Sequence, residues 1–182
     1  MRIVAGKYGG QRLFVPKNRD IRPTSDKVRG AIFNALEARG AVQGARVLDC
    51  FCGTGALGLE ALSRGAAHCT FWDKDKASLA LAKRNTEHLG AMGESAFQIR
   101  DAVKSFEAQG DDKYDLIFLD PPYRKDMISA AVKALEESLV FEKDTTLIVE
   151  AEKDCEPQLG GSFKMQSHKV YGDSAVYIFS KI

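Results

Sequence analysis

The tetrapeptide Asp120-Pro121-Pro122-Tyr123 follows the apolar run Asp115-Leu116-Ile117-Phe118-Leu119 and brings together a carboxylate, two rigid residues and an aromatic face. Consecutive prolines bar a helix and hold a turn stiff, so the Asp120 carboxylate and the Pro121 carbonyl can face one point with little entropy left to lose. Two acceptors converging on an amino group would draw electron density onto a nitrogen whose lone pair is delocalised into a heteroaromatic ring, and would aim it at an electrophilic carbon. Tyr123 offers a flat surface for an extruded base, worth about 1–3 kcal/mol. These four residues form a candidate catalytic turn for methylating an exocyclic amine by in-line displacement.

A second set of residues is suited to the methyl donor. From Val47 to Gly65 the chain reads VLDCFCGTGALGLEALSRG, a buried strand running into a glycine turn and then a helix. Gly53, Gly55 and Gly58 fit G-x-G-x-x-G, and Asp73 ends the next strand, about 20 residues on, where an acid can accept from ribose hydroxyls. This much fits NAD as well as any other adenosine cofactor. Asp49 separates the options, because a carboxylate just before the loop would crowd a pyrophosphate but suits the ammonium and sulfonium of S-adenosylmethionine. A buried aspartate bonded to loop amides is the competing reading of Asp49. Asp101, after Phe97-Gln98-Ile99-Arg100, stands where an acceptor for the adenine amino group is expected, and it would equally cap a helix starting near Ala102. No Gly-Lys-Ser/Thr follows the loop, which argues against a P-loop.

The elements that must position these residues follow from periodicity. Strand-like runs at 46–51, 67–72, 96–99, 115–119 and 145–150 alternate with helix-compatible stretches, which predicts a largely parallel sheet covered by helices on both faces. Beyond Gly160-Gly161, Phe163 to Val170 and Ala175 to Ser180 flank Tyr171-Gly172-Asp173-Ser174 without an intervening helix, so an antiparallel hairpin is expected at one edge. The opening RIVAGKYGGQRLFVP predicts two short strands around Gly9-Gly10, closed by Pro16. A helix opened by Pro23-Thr24 follows, with Val28, Ala31, Ile32, Ala35 and Leu36 on its apolar face. The expected division is a basic hairpin extension over 1–22 and a catalytic domain over 23–182.

Residues 1–30 carry eight basic residues against Asp20 and Asp26, a local charge of +6 in a chain whose net charge is +1. Such an arm on a mildly acidic body points to a polyanionic partner met by one end of the molecule, or else to a strand edge protected by charge. No apolar run nears the roughly 20 residues of a membrane span, and the N-terminus lacks the pattern of an export signal, so a cytoplasmic protein is expected. Cys50-Phe51-Cys52 is not the C-x-x-C of a zinc knuckle and has no partner pair at ligand spacing; no metal is expected. Buried thiols at Cys50, Cys52 and Cys69 would behave as small hydrophobes.

Several stretches together resemble a known family. The glycine loop with DPPY resembles Rossmann-like class I methyltransferases acting on amino groups of adenine or guanine. MRIVAGKYGGQRLFVP, RPTSDKVRGAIFN, LDCFCGTGALGLEALSRGA, FLDPPY and KVYGDSAVYIF, in that order, resemble the bacterial 16S ribosomal RNA guanine-N2 methyltransferases. The resemblance implies a seven-stranded Rossmann-like sheet and S-adenosylmethionine as cofactor. It places Asp49, Gly53, Gly55, Asp73 and Asp101 at the cofactor, with Cys52, Thr54, Lys74 and Ala102 beside them. Asp120, Pro121, Pro122 and Tyr123 are then the catalytic turn, and Arg2, Lys7, Arg12, Lys17, Arg22 and Arg29 contact RNA. The implied partner is 16S ribosomal RNA in the small subunit or an assembly intermediate, met by a monomer. Cys52 and Thr54 stand where alanine and serine are common, and Asp73 where glutamate is; Cys52 therefore inherits no catalytic role.

Three other readings compete. A DNA adenine-N6 methyltransferase uses the same chemistry, but little chain remains for a target-reading domain. An NAD-dependent oxidoreductase would need a proton relay beside the loop, and His68, His88 and His168 are scattered. A non-catalytic RNA-binding protein keeping the fold is the third.

Overall fold

The alternation of strands and helices builds one seven-stranded sheet. The structure is a computed structural model, and it describes residues 1–16, 25–104, 113–122, 125–138 and 140–182. Helix α1 (Asp26–Glu37) leads into β1 (Arg46–Asp49), α2 (Ala56–Ser63), β2 (His68–Asp73), α3 (Lys76–Leu89), β3 (Ser95–Ile99), β4 (Tyr114–Leu119), α4 (Lys125–Glu136) and β5 (Phe141–Glu152). The chain closes with β6 (Phe163–Tyr171) and β7 (Ser174–Lys181). Strand order is β3-β2-β1-β4-β5-β7-β6. The first five strands pair in parallel, β7 is antiparallel to β5, and β6 returns antiparallel to β7 at the edge. This is the expected mixed Rossmann-like sheet with its C-terminal hairpin.

Alternate side chains of the strands feed two cores, one on each face. Val47, Phe71, Leu116, Phe118 and Ile148 pack with Ile32, Phe33 and Leu36 of α1, Leu59 and Leu62 of α2, and Leu79 and Ala82 of α3. On the other face Leu48, Ile117, Leu147 and Val149 meet Ile128, Val132 and Leu135 of α4. Helix α2 is buried along its whole length, between the sheet and the N-terminal arm. It lies close because Gly58 has no Cβ; a methyl there would strike the Phe71 ring and the Cys69 sulfur of β2. The third glycine of the motif thus sets helix–strand packing.

Two N-terminal expectations change. Helix α1 is capped by Ser25, whose hydroxyl accepts from the Val28 amide at 3.2 Å, while Pro23 and Thr24 lie outside the described residues. Its buried face also includes Arg29 and Phe33, with Val28, Ala31 and Ala35 only partly covered. The arm doubles back antiparallel but forms no extended strands: an Arg2–Arg12 bridge is flanked by the Ile3 amide on the Gln11 carbonyl at 2.9 Å and the Leu13 amide on the Met1 carbonyl at 3.2 Å, and Ile3 and Leu13 join the main core. The reason is a competing acceptor. The Val4 and Ala5 amides donate to the Glu60 carboxylate at 2.7 and 3.0 Å instead of crossing to a partner strand. Gly6, at φ +82°, then presses against the Ser63 carbonyl, which accepts from the Lys7 amide at 2.8 Å.

Candidate active site

Four acids mark the carboxyl ends of four neighbouring strands: Asp49 ends β1, Asp73 ends β2, Asp101 lies just past β3 and Asp120 follows β4. Registers Asp49↔Phe71, Asp49↔Phe118 and Asp73↔Ile99 bring them to one edge of the sheet. The Cys50 amide donates to the Phe118 carbonyl at 3.1 Å and the Cys52 amide to the Trp72 carbonyl at 2.9 Å. Both neighbours of β1 are thereby pinned just before the glycine loop. Ligands of open α/β sheets bind at this edge, where strand order reverses between β1 and β4.

The loop is held by its own acids. Gly53 and Gly55 take positive φ of 52° and 80°, and Gly55 stands at the N-cap of α2. The Gly53 amide donates to Asp73 Oδ2 at 3.0 Å, and Asp73 Oδ1 accepts from the Asp75 amide at 2.9 Å. The Gly58 amide donates to Asp49 Oδ2 at 3.0 Å, so Asp49 bonds an amide in the first turn of α2, just beyond the loop. Burial pushes the Asp49 carboxyl up to about 7; the nearby Asp73 adds to the rise and the Gly58 amide opposes it. A carboxyl in that state gains from a neighbouring cation. Burial, reinforced by Asp49, holds the Cys50, Cys52 and Cys69 thiols well above their ordinary range, leaving no thiolate nucleophile at these three positions.

Asp101 Oδ1 accepts from the Val103 amide at 3.1 Å, fixing a turn over residues 102–104 with Ala102 buried; a helix beyond it would fall outside the described residues. Asp120 is partly buried, Pro121 buried and Pro122 exposed, while Tyr123 lies outside the described residues. Lys74 sits in the bend after Asp73, and Thr54 lies in the loop with its hydroxyl donating to Met1 Sδ at 3.4 Å.

The basic residues divide. Arg12 is exposed, Arg2 pairs with Asp26 at 3.5 Å and Lys7 pairs with Glu94 at 2.9 Å. Arg29 corrects the expectation of an RNA contact: its side chain is 0% exposed, with Nη2 on Asp26 at 2.8 Å and on the Arg2 carbonyl, and Nε on Glu60 at 3.4 Å. The Arg29 guanidinium is thus engaged inside the protein by three acceptors and is not presented at the surface. Lys17 and Arg22 lie outside the described residues.

Two residues went unread in the sequence. Glu60 is fully buried and gathers the Val4 and Ala5 amides, Arg29, and Arg64 at 2.8 Å. Asn85, also fully buried, accepts from the Phe14 amide at 2.7 Å and donates to the carbonyls of Phe14 at 3.0 Å and Thr54 at 2.9 Å. A polar residue on the apolar stripe of a helix was the available signal for both.

The family model described as conserved hypothetical protein 95 matches residues 1–180. The ribosomal RNA small subunit methyltransferase D of Escherichia coli K12 is 33% identical over 182 residues, spanning 100% of this chain and 90% of its own. The protein of the same name from Haemophilus influenzae is 35% identical over 156 residues, 85% of this chain and 80% of its own. Among solved structures, the Escherichia coli protein yhhF, named as a candidate methyltransferase, superposes with a TM-score of 0.86 at 32% identity, covering 100% and 97% of the two chains. The chain belongs to this family. Its fold is that of the class I methyltransferases, and the four acids and the glycine loop occupy the edge at which that fold binds its ligands.

Proposed function

We propose that the chain uses S-adenosylmethionine to methylate the exocyclic N2 of a guanine in 16S ribosomal RNA, within the small ribosomal subunit or an assembly intermediate. The observation that carries this reading is the pairing of β1 with β4, which sets the Asp120-Pro121-Pro122 turn beside the glycine loop on one edge. The names of the relatives, small-subunit ribosomal RNA methyltransferases, support the substrate class.

The donor set fits the cofactor: carboxylates toward a cation and ribose hydroxyls, and a backbone bared by glycines toward a ligand that carries no phosphate. When bound, S-adenosylmethionine supplies a methyl carbon made electrophilic by its sulfonium. Asp49 balances positive charge from a site where water is scarce, Asp73 accepts from ribose hydroxyls, and Asp101 takes the adenine amino group. Asp120 and the Pro121 carbonyl accept hydrogen bonds from the two amino N–H groups of the base, hold its nitrogen in line and balance the positive charge that develops there. The proton released from the methylated nitrogen leaves through the Asp120 carboxylate to water. Tyr123 stacks on the extruded ring.

The test is incubation with radiolabelled S-adenosylmethionine and either small subunits lacking the modification or plasmid DNA. Label in the RNA, mapped to a guanine N2, is the expected result. Label only in DNA would establish an adenine methyltransferase instead.

A further inference from the structure

Phe14 is held at the surface with deliberate rigidity. The residue is 36% exposed, yet both of its main-chain groups bond to the buried Asn85 carboxamide, whose third bond goes to Thr54 in the glycine loop. Arg84, the preceding residue of α3, lays its guanidinium over that ring, the central carbon 3.8 Å from the centroid. The His88 ring meets the same phenyl group edge-on at 5.3 Å and 62°. Among the described residues Arg84 pairs with no carboxylate, unlike Arg2, Lys7, Arg29 and Arg64.

A planar guanidinium resting on an aromatic face has a second face open to stack on, while its N–H groups point outward in the ring plane toward phosphate. Arg12 is exposed beyond Leu13, which turns inward, and Lys83 is exposed beside Arg84. Exposed basic residues thus stand two positions from Phe14 on the arm and next to Arg84 on α3, with Glu87 the one acid of that helical turn. These features match a nucleotide, an aromatic base joined to an anion.

We propose that the Phe14–Arg84 pair is a docking platform for an unpaired nucleotide of the RNA substrate, with the base stacked on the guanidinium and its phosphates near Arg12 and Lys83. The proposal rests on the RNA methyltransferase reading and deepens it. It moves RNA recognition from the basic residues already engaged in ion pairs to a stack built on α3. Through Asn85 the platform is one side chain away from the glycine loop, whose Thr54 carbonyl accepts from the same carboxamide.

The experiment measures binding of small subunits lacking the methyl group to the full-length protein saturated with S-adenosylhomocysteine. Phe14→Leu, which keeps apolar cover without the ring, and Arg84→Lys, which keeps the charge without the plane, each weaken binding about tenfold. Phe14→Trp retains it, and all three variants keep the wild-type Tm and affinity for S-adenosylhomocysteine. Unchanged subunit binding in Phe14→Leu or in Arg84→Lys overturns the platform, as does a loss matched by an equal loss of cofactor affinity, which would mark a merely structural contact. Wild-type protein that neither binds nor methylates the subunits overturns the functional reading as well, an outcome distinct from failure of the variants alone.

Discussion

The Asn85 carboxamide donates to the Thr54 carbonyl at 2.9 Å, fastening helix α3 to the glycine loop. Its other two bonds hold Phe14, so one buried side chain spans loop, helix and arm. Asn85→Ala removes three part-buried bonds and leaves the Phe14 and Thr54 main-chain groups without this partner, a cost of about 2–4 kcal/mol. Asn85→Asp is worse, because the new carboxylate faces the carbonyls of Phe14 and Thr54 with no proton to donate. Urea denaturation measures the stability loss, and calorimetric titration should show weaker S-adenosylhomocysteine binding in both variants.

Asp49 predicts a pH dependence of definite sign. Its carboxyl is raised from an ordinary value of 3.8 to about 7 in the folded protein. Between those values the folded state binds more protons than the unfolded one, so this group's contribution to stability falls as pH rises and levels off above 7. A cationic cofactor favours the ionised form, so binding expels the proton. Affinity for S-adenosylmethionine should therefore rise by up to about tenfold per pH unit on approaching neutrality and then plateau. Asp49→Asn should flatten that profile and bind more weakly at pH values above the plateau's onset; calorimetry across the range decides.

Glu60 is the anchor of the N-terminal arm. Its two oxygens accept from two amides and two buried or nearly buried guanidinium groups. Glu60→Ala leaves Arg29 and Arg64 without their shared counter-charge, which should cost about 3–5 kcal/mol. Hydrogen exchange at the Val4 and Ala5 amides, slow in the wild type, should accelerate in the variant more than exchange in β4 does.

Asp120→Ala separates chemistry from binding. If the carboxylate polarises the amino group, kcat for methyl transfer falls roughly 10²- to 10³-fold. S-adenosylhomocysteine affinity and subunit affinity stay near wild type. Unchanged turnover would remove Asp120 from the mechanism.

Regular elements and the sheet edge that carries the glycine loop and its acids were legible because they rest on short-range patterns. Apolar runs, the glycine spacing and the strand-terminal acids Asp49, Asp73 and Asp120 are all local features. The arm was less legible, since Gly9-Gly10 reads as a hairpin turn but the Val4 and Ala5 amides go to an acceptor 55 or more residues away. Arg29 misled for the same reason. A basic residue in a basic segment suggests surface, and only the folded chain reveals that the α1 face carrying it packs against Glu60 of α2. Arg84 lies outside the basic N-terminal segment, and its contact with Phe14 joins residues 70 positions apart.

The insertion of β4 beside β1 has a temporal meaning. During synthesis the glycine loop at 53–55 emerges well before the turn at 120–122, and the strands between them extend the sheet away from β1 in the opposite direction. On the proposed reading, a nascent chain completes the residues that hold the nucleoside while the turn at 120–122 is still unmade. Methylation competence would then arrive in one late step, when the fourth strand docks against the exposed flank of the first.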